Sequence, residues 1–335
     1  MVPSVSPDAY QAARQRAALV DRSDRGRLVV SGVDRATYLQ GLLTHDIAVL
    51  TAGQGHYAAY LTAQGRMIAD LFVYELGDVI LLTMVGAVKD TVLGKLAQFI
   101  FTEDVTLGDV TETFAQTAVI GPLAAATVSA AMSGVSEAVL AALPEHGNVR
   151  AFFDGTPAIV TRVTDTGEPG FDVFVERVQT HALRAALRQE GAVTMDAETA
   201  EAIRIEAGVP LFHKDMDEET IPLEAGIESR AISFTKGCYV GQEVIIRVLH
   251  RGHGRVARKL VGLSIDGASV PPPGAVARIG DREVGVVTSS AQSPALNHPI
   301  ALAYLQRDFM APETVVVVDG MSATVTPLPF VSRQV

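Results

Sequence analysis

Apolar positions in the first third of the chain follow two periods, one typical of strands and one typical of helices. Tyr57, Ala59 and Leu61 alternate with smaller residues, which predicts a strand, and a turn after them leads into a second strand over 67–76. Apolar residues at helical spacing predict a helix over 88–100. Because hairpin strands and helices mix without regular alternation, the pattern indicates an α+β fold.

Further helices are predicted from periodicity together with capping residues. An amphipathic stretch predicts a helix over 8–20, and Asp34 is expected to cap a helix that follows it. Asp196 is expected to cap another helix, which Gly208 ends. The acidic stretch over 209–234 shows no period and is expected to be irregular.

Beyond residue 255 the pattern changes to short apolar runs separated by proline, glycine and aspartate. Six of these runs predict strands, over 256–263, 275–279, 283–289, 300–305, 314–318 and 323–326. Short, evenly spaced strands are typical of a small antiparallel barrel. We therefore predict two α+β lobes within residues 1–250, with a boundary near 115–150, and a barrel over 251–335.

Length and composition limit what this chain can be. Its 335 residues exceed one typical core and 48% of them are hydrophobic, so two or three domains are expected. With 27 basic and 38 acidic residues the net charge is −11, which disfavours non-specific binding of nucleic acid or of a membrane. We find no signal-peptide pattern and no uncharged apolar run of about 18 residues. We expect a soluble, cytoplasmic protein.

The only cysteine, Cys238, lies in the octapeptide Lys236-Gly237-Cys238-Tyr239-Val240-Gly241-Gln242-Glu243. A single cysteine forms neither an internal disulfide nor a four-cysteine metal site, and no metal site is predicted. A nearby cation lowers the pKa of a thiol and favours the reactive thiolate. Cys238 and Lys236 are therefore candidate reactive residues, with the other residues of the octapeptide as their motif. The alternative is that Cys238 is a small buried apolar residue.

The octapeptide and several other segments resemble a known family. Residues 38–47, the sequence TGEPGF at 166–171 and the sequence RIEAG at 204–208 resemble segments of the glycine-cleavage T-protein superfamily. Within that superfamily, the octapeptide is similar to the signature of the YgfZ-type folate-binding proteins of iron–sulfur cluster maintenance. The resemblance covers nearly the whole chain, and the octapeptide is its most specific part.

The resemblance implies a three-lobed, ring-like α+β fold with a C-terminal antiparallel β-barrel. It implies that tetrahydrofolate, or a one-carbon-substituted derivative, binds in or near a central channel. The implied function is an accessory role, without independent turnover, in assembly or repair of iron–sulfur enzymes, including radical enzymes that modify tRNA. Those enzymes or assembly proteins would be its partners, and the chain would be a monomer that does not bind nucleic acid directly. The alternative is a tetrahydrofolate-dependent aminomethyltransferase or demethylase.

Carboxylates are expected to recognise the folate, because the pterin edge offers adjacent N–H donors. The candidates are Asp70, Glu168, Asp172 and Glu206, each of which can equally be a cap, a turn residue or a surface acid. Arg204 is expected either to bind a folate carboxylate or to form an ion pair within its lobe. Ala69 and Ala200 stand where aminomethyltransferases usually have an aspartate and a folate-contacting arginine. These departures favour folate binding over aminomethyl transfer.

A basic strip follows the octapeptide, with no acidic residue between Val244 and Ile265. Its cations are Arg247, Arg251, Arg255, Arg258 and Lys259, with His250 and His253 among them. Such a strip, Arg247 included, can hold the polyglutamate tail of a folate, RNA phosphates or an acidic partner protein. The alternative is an ordinary solvated hairpin, and two histidines alone are a weak signal for a metal.

Overall fold

Three sheets, each with its own buried core, organise the computed structural model, which describes residues 5–250 and 255–332. The helices are α1 (Pro7–Gln15), α2 (Arg35–Gln40), α3 (Lys89–Ala97), α4 (Ala124–Ala131), α5 (Glu137–Ala142), α6 (Thr180–Gln189), α7 (Ala197–Glu206), α8 (Pro222–Ala225), α9 (Glu228–Ala231) and α10 (Gln242–His250). The strands of the two N-terminal sheets are β1 (Ala18–Asp21), β2 (Gly26–Ser31), β3 (Gly55–Leu61), β4 (Met67–Glu75), β5 (Ile80–Met84), β6 (Thr106–Asp109), β7 (Phe114–Ile120), β8 (Asn148–Phe153), β9 (Thr156–Val163), β10 (Gly170–Glu176) and β11 (Val193–Thr194). The C-terminal strands are β12 (Arg258–Asp266), β13 (Val276–Ile279), β14 (Arg282–Ser293), β15 (His298–Gln306), β16 (Val315–Val318) and β17 (Met321–Thr326).

The first lobe is an antiparallel sheet of five strands in the order β3-β4-β5-β2-β6. Every residue of β4 is buried, which explains why this strand is a nearly continuous apolar run in the sequence. The carboxylate of Asp70 interrupts that run at the middle of the strand. A buried carboxylate in such a position requires a partner or a ligand.

The second lobe is a sheet of six strands in the order β11-β1-β7-β10-β9-β8. Its strand β1 comes from the N-terminus, since Ala18 pairs with both Ile120 of β7 and Val193 of β11. The helix predicted over 8–20 is therefore too long. Helix α1 ends at Gln15, because the backbone after it extends to join the second sheet.

The C-terminal region is a closed barrel in which the strand order is β12-β15-β14-β13-β16-β17. Closure removes free sheet edges, and small and branched apolar side chains fill the interior. All six strands predicted from the sequence are present, although β12 and β14 extend beyond the predicted ends. The predicted α+β fold with a C-terminal antiparallel barrel is confirmed.

Two capping predictions had different outcomes. The carboxylate of Asp196 accepts a hydrogen bond from the Thr199 backbone N at 2.7 Å, which confirms it as the cap of α7. Asp34 precedes α2 but makes no capping bond there. Its carboxylate instead accepts from the backbone N of Asp104 at 2.8 Å and so joins two loops of the first lobe.

The segment between the second lobe and the barrel also differs from expectation. Residues 209–234, predicted to be irregular, contain the single-turn helices α8 and α9. The solvated hairpin considered for the basic strip is replaced at its start by α10, which begins inside the octapeptide. Arg251 and His253 lie outside the described residues. Across residues 5–250 and 255–332, no helix combines the length and apolar character that a membrane span requires.

Candidate functional site

Two sheet faces carry the polar and aromatic residues that form the candidate site. Side chains alternate along a strand, so Asp70, Phe72 and Tyr74 of β4 share one face of the first sheet. By the same rule Asp172 and Phe174 share one face of the second sheet. Phe174 packs into the core of the first lobe, which brings the two faces together.

Asp70 is only 8% exposed and accepts a hydrogen bond from the Tyr57 hydroxyl at 2.8 Å. Burial raises the pKa of Asp70 above its usual range, while the Tyr57 hydrogen bond and the Arg25 charge act against that rise. Burial and the adjacent Asp70 carboxylate together raise the pKa of Tyr57. Tyr57 therefore stays protonated and remains a hydrogen-bond donor to Asp70.

Asp172 lies on the facing sheet and is 2% exposed. It accepts from Arg22 Nη1 at 3.2 Å and from Gln116 Nε2 at 2.8 Å. The same Arg22 guanidinium pairs with Asp165 at 2.9 Å. Burial raises the pKa of Asp172. At Asp165 burial acts in the same direction, but Arg22, Arg25 and Arg230 together outweigh it and lower the pKa of that carboxyl. Arg22 thus joins the loop before β10 to the strand itself.

Aromatic rings and cations complete the group around Asp70. The Arg25 guanidinium lies 5.4 Å from the centre of the Phe72 ring, and that of Arg230 lies 5.4 Å from the centre of Tyr57. The ring of His146 lies 5.3 Å from Phe72. Arg25 Nε and His146 Nδ1 are buried and have no hydrogen-bond partner among the described residues. Burial lowers the pKa of His146 to about 4, so its ring is uncharged at neutral pH.

We call Asp70, Tyr57, Asp165, Asp172, Arg22 and Arg25 the inter-sheet cluster. A cavity of about 40 Å³ lies beside it, lined by residues that include Asp70, Phe72 and Arg230. An apolar cavity of about 150 Å³ takes up one benzene ring, so a pterin requires side chains such as those of Arg25 and Arg230 to move. The set of donors and acceptors fits the pterin end of a folate: buried carboxylates, flat rings and unpaired buried nitrogens.

The position at which the resemblance implies contact with a folate tail, Ala200, is apolar. Ala200 packs at the edge of an apolar group in α7 and offers no charge to the tail carboxylates. Arg204, one helical turn later, donates to Asp215 Oδ2 at 2.6 Å and to Glu201 Oε1 at 2.7 Å. Arg204 therefore belongs to an ion-pair network, and it also lines the cavity beside Asp70.

Glu168 and Glu206 lie away from the inter-sheet cluster, beside the N-terminal helix. Arg14 of α1 forms ion pairs with both carboxylates. The Tyr10 hydroxyl donates to Glu206 at 2.8 Å, and burial raises the pKa of this tyrosine to about 12. The hydroxyl of Ser293 in the barrel donates to the other Glu206 oxygen. Glu206 therefore joins α1, α7 and the barrel.

Lys236, the first residue of the octapeptide, is 9% exposed and fixes the motif to the first lobe. Its ammonium donates to three backbone carbonyl oxygens, those of Gln40 at 2.7 Å, Leu43 at 2.7 Å and His45 at 2.8 Å. The Gln40 carbonyl is at the end of α2, where a cation also interacts favourably with the helix dipole, and the other two lie in the loop that follows. Burial lowers the pKa of Lys236 to about 8.

The octapeptide turns against the β3–β4 hairpin and leaves its thiol at the surface. Gly241 has φ +85°, and a Cβ at this position would lie 2.5 Å from the Thr62 carbonyl oxygen. Only glycine permits this approach, after which Gln242 begins α10 and Glu243 is exposed in its first turn. Tyr239 is buried, whereas Cys238 is exposed. The alternative in which Cys238 fills a core position is therefore wrong.

The basic strip is partly neutralised. Arg258 pairs with Glu224 at 3.1 Å, and Lys259 lies 3.7 Å from Glu228. Arg247 is exposed on the last turn of α10, where its charge is favourable to the helix dipole. The exposed Arg247 and Arg255 remain on this surface as cations that can meet an anion.

Sequence reasoning missed Arg22, Arg25, Asp165 and Tyr57. Single arginines in the loop after β1 carry no local signal, because their partners lie about 150 residues away in the chain. Tyr57 was identified as a strand residue, and alternation along β3 and β4 was a usable signal. Tyr57 pairs directly with Phe72, two residues along the strands from the Ala59–Asp70 pair and on the same face, which places Tyr57 beside Asp70.

Comparisons with known proteins agree with this architecture. The overall fold is that of a glycine-cleavage aminomethyltransferase: the crystal structure of glycine cleavage system aminomethyltransferase T from Bartonella henselae matches 99% of this chain and 92% of its own, with a TM-score of 0.88 and 23% identity. Residues 4–236 match the GCVT N-terminal domain, and residues 258–332 match the glycine cleavage T-protein C-terminal barrel domain. The chain therefore belongs to the glycine-cleavage T-protein family.

Among the relatives is an aminomethyltransferase of Rubrobacter xylanophilus, 33% identical over 97% of this chain and 86% of that protein. An aminomethyltransferase of Streptomyces avermitilis is 31% identical over 98% of this chain and 90% of that protein. Both similarities span all three lobes.

Proposed function

We propose that this chain binds a reduced folate, tetrahydrofolate or a one-carbon derivative, at the inter-sheet cluster. The observation that carries the proposal is the environment of Asp70. This carboxylate is 8% exposed on a sheet face, with Tyr57 as its side-chain hydrogen-bond donor. A buried carboxylate with one neutral partner is costly unless a further donor satisfies it, and the adjacent N–H groups of a pterin are such donors.

The rings around Asp70 support the same ligand. Tyr57 and Phe72 have ring centres 5.2 Å apart, and Phe72 and Tyr74 are stacked at 6.4 Å. Flat aromatic faces beside a carboxylate can hold a planar heterocycle while the carboxylate reads its edge. Asp172 is already bound by Arg22 and Gln116, so its role is to hold that arginine within the cluster.

The activity that the relatives support is folate-dependent one-carbon transfer. Two of them are named aminomethyltransferase, and this chain is similar to each over 86% or more of its length. In such a reaction the bound folate supplies the acceptor for the one-carbon unit. The residues of this chain would bind and orient the pterin and keep water from it. The raised pKa of Asp70 would also bring this carboxyl closer to the range in which it can exchange a proton.

A second candidate function is favoured by a separate observation, the exposure of Cys238. The octapeptide is anchored through Lys236 so that its thiol lies at the surface, where a partner protein can reach it. An accessory role in assembly or repair of iron–sulfur enzymes, including those that modify tRNA, would use the thiol in this way. Arg247 and Arg255 would give such a partner a basic contact surface.

Titration calorimetry with 5-formyltetrahydrofolate, a stable reduced folate, tests the proposed ligand. Replacement Asp70→Asn removes the charge and leaves the shape, and we expect binding to weaken about 10- to 100-fold, because hydrogen bonds to charged groups contribute about 1.5–3 kcal/mol. Asp266→Asn, at the exposed end of β12, is the matched control and should bind as the unmodified protein does. Absence of binding, or equal affinity of the Asp70→Asn variant, contradicts the proposal.

The two candidate activities are separated by a second pair of measurements. Turnover of an aminomethyl donor with tetrahydrofolate, lost in Asp70→Asn and retained in Cys238→Ser, supports one-carbon transfer. Reduced activity of [4Fe–4S] enzymes and reduced tRNA thiolation in cells that carry only Cys238→Ser supports the accessory role. If turnover is absent and those cells are unaffected under oxidative stress, both activities are ruled out while folate binding is judged by the titration alone.

A further inference from the structure

A second pocket lies between the same two sheets, and none of its lining residues lines the cavity beside Asp70. It has a volume of about 220 Å³ and extends from β2 of the first lobe to β9 of the second. Its walls are mainly apolar and include Val29, Leu81, Ile159 and Phe174. Val29 stands opposite Leu81, and Ile159 opposite Phe174, so each sheet contributes one continuous wall.

The pocket contains one buried cation, Arg27, whose side chain is fully enclosed at 0% exposure. Its guanidinium donates to the carbonyl oxygens of Thr111 at 2.7 Å and Ser23 at 3.0 Å, and more weakly to that of Arg22 at 3.4 Å. All three acceptors are backbone oxygens, and Nε has no hydrogen-bond partner among the described residues. Buried arginines are usually paired with a carboxylate, so this charge lacks its ordinary counterion.

Charges of both signs surround Arg27. Burial lowers the pKa of Arg27, and the nearby Arg177 adds to that effect more strongly than Glu112 opposes it. Arg150 also lines the pocket and forms an ion pair with Asp78 at the surface. Arg177 is paired with Glu112 at 3.1 Å, and Asp24 also acts on Arg27 as a negative charge. An anion that enters therefore depends on Arg27 itself, because both neighbouring guanidinium groups already have carboxylate partners.

From this geometry we propose that the pocket, which we call the Arg27 pocket, binds a small monocarboxylate with an apolar body. Because Arg27 is fully enclosed, its side chain or those beside it would have to move before the ligand carboxylate meets the unpartnered Nε, and the apolar body would lie against Val29, Leu81 and Phe174. The size agrees, because an apolar cavity of about 150 Å³ holds benzene and the Arg27 pocket has room for one ring and its acid group. An apolar pocket with one well-placed polar group is the usual form of a small-molecule site.

Benzoate is the probe, and calorimetric titration of the full chain is the measurement. We expect saturable binding of benzoate and at least tenfold weaker binding of benzamide, which has the same shape without the charge. Acetate, which has the charge without the ring, should also bind at least tenfold more weakly. Binding should persist in the presence of 5-formyltetrahydrofolate, since the inter-sheet cluster is a separate site. Displacement by the folate, or equal affinity for benzamide, overturns the proposal.

Two variants locate the binding. Arg27→Gln removes the charge and should weaken benzoate at least tenfold while benzamide is little changed. Because the loss of a buried arginine can impair folding, Val79→Phe provides an independent test by filling the pocket from its rim. Val33→Phe makes the same exchange at a residue that is 80% exposed and should leave binding unchanged. If Val79→Phe binds benzoate as tightly as Val33→Phe does, the pocket is not the site.

Discussion

Replacing Lys236 by methionine tests how the octapeptide is held. Methionine keeps the length and the apolar stem of the side chain but cannot donate to the carbonyls of Gln40, Leu43 and His45. An unsatisfied buried polar group costs about 1–3 kcal/mol. Because Gln40 and His45 are only half-buried and can regain water, we expect a total loss of about 3–5 kcal/mol in the free energy of unfolding.

Thermal unfolding followed by far-ultraviolet circular dichroism measures this loss. At about 2.1 cal/mol/K per residue, the 335 residues give an unfolding entropy of about 0.7 kcal/mol/K, so Tm should fall by about 4–7 °C. Lys214→Met is the matched control, because this lysine is about half exposed and pairs only with Glu201 at 3.1 Å. A change of less than 1 °C in Lys236→Met, or an equal change in the control, refutes the view that Lys236 anchors the motif.

Three further outcomes are expected. Glu206→Gln should lower Tm by about 3–6 °C and expose the N-terminal helix to proteases, because it weakens the bonds to α1 and the barrel, whereas the exposed Glu198→Gln should do neither. His146 has a pKa near 4, below the unfolded value of 6.5, so the unfolded state takes up a proton first and stability falls as pH drops from 6.5 towards 4. His146→Gln should reduce the dependence of the unfolding free energy on pH in this range by up to about 1.4 kcal/mol per pH unit. An unchanged dependence in unfolding titrations contradicts the assignment of this effect to His146. Cys238 should react with one equivalent of a thiol reagent in the folded protein, and slow reaction matching that of a buried thiol contradicts its exposed position.

Local patterns in the sequence were enough to predict much of the fold. The six barrel strands follow from turn residues at regular spacing, and the α7 cap follows from Asp196, because these signals depend on neighbours in the chain. The position of β1 could not be predicted, since its pairing with β7 and β11 has no local signal. The helix predicted over 8–20 instead includes three of its four residues, 18–20.

The candidate site was predicted in part for the same reason. A carboxylate inside an apolar strand made Asp70 visible as an unusual residue. The residues that surround Asp70 could not be predicted from the sequence, because Arg25 and Arg230 come from segments distant in the chain. For Lys236, the sequence showed that a cation is close to a thiol in the chain, but it did not show where the side chain points. In the structure its ammonium donates to three carbonyl oxygens of another segment.

The position of β1 makes the second lobe discontinuous along the chain, with all five strands of the first sheet inserted between β1 and β7. During synthesis at about 5–20 residues per second, Val193 leaves the ribosome about 9–35 s after Ala18. The strands of the first sheet can pair in that interval, before β11 is available to pair with β1. A shortened N-terminus would therefore damage the second lobe and the contact of α1 with the barrel, and leave the sheet that carries Asp70 complete.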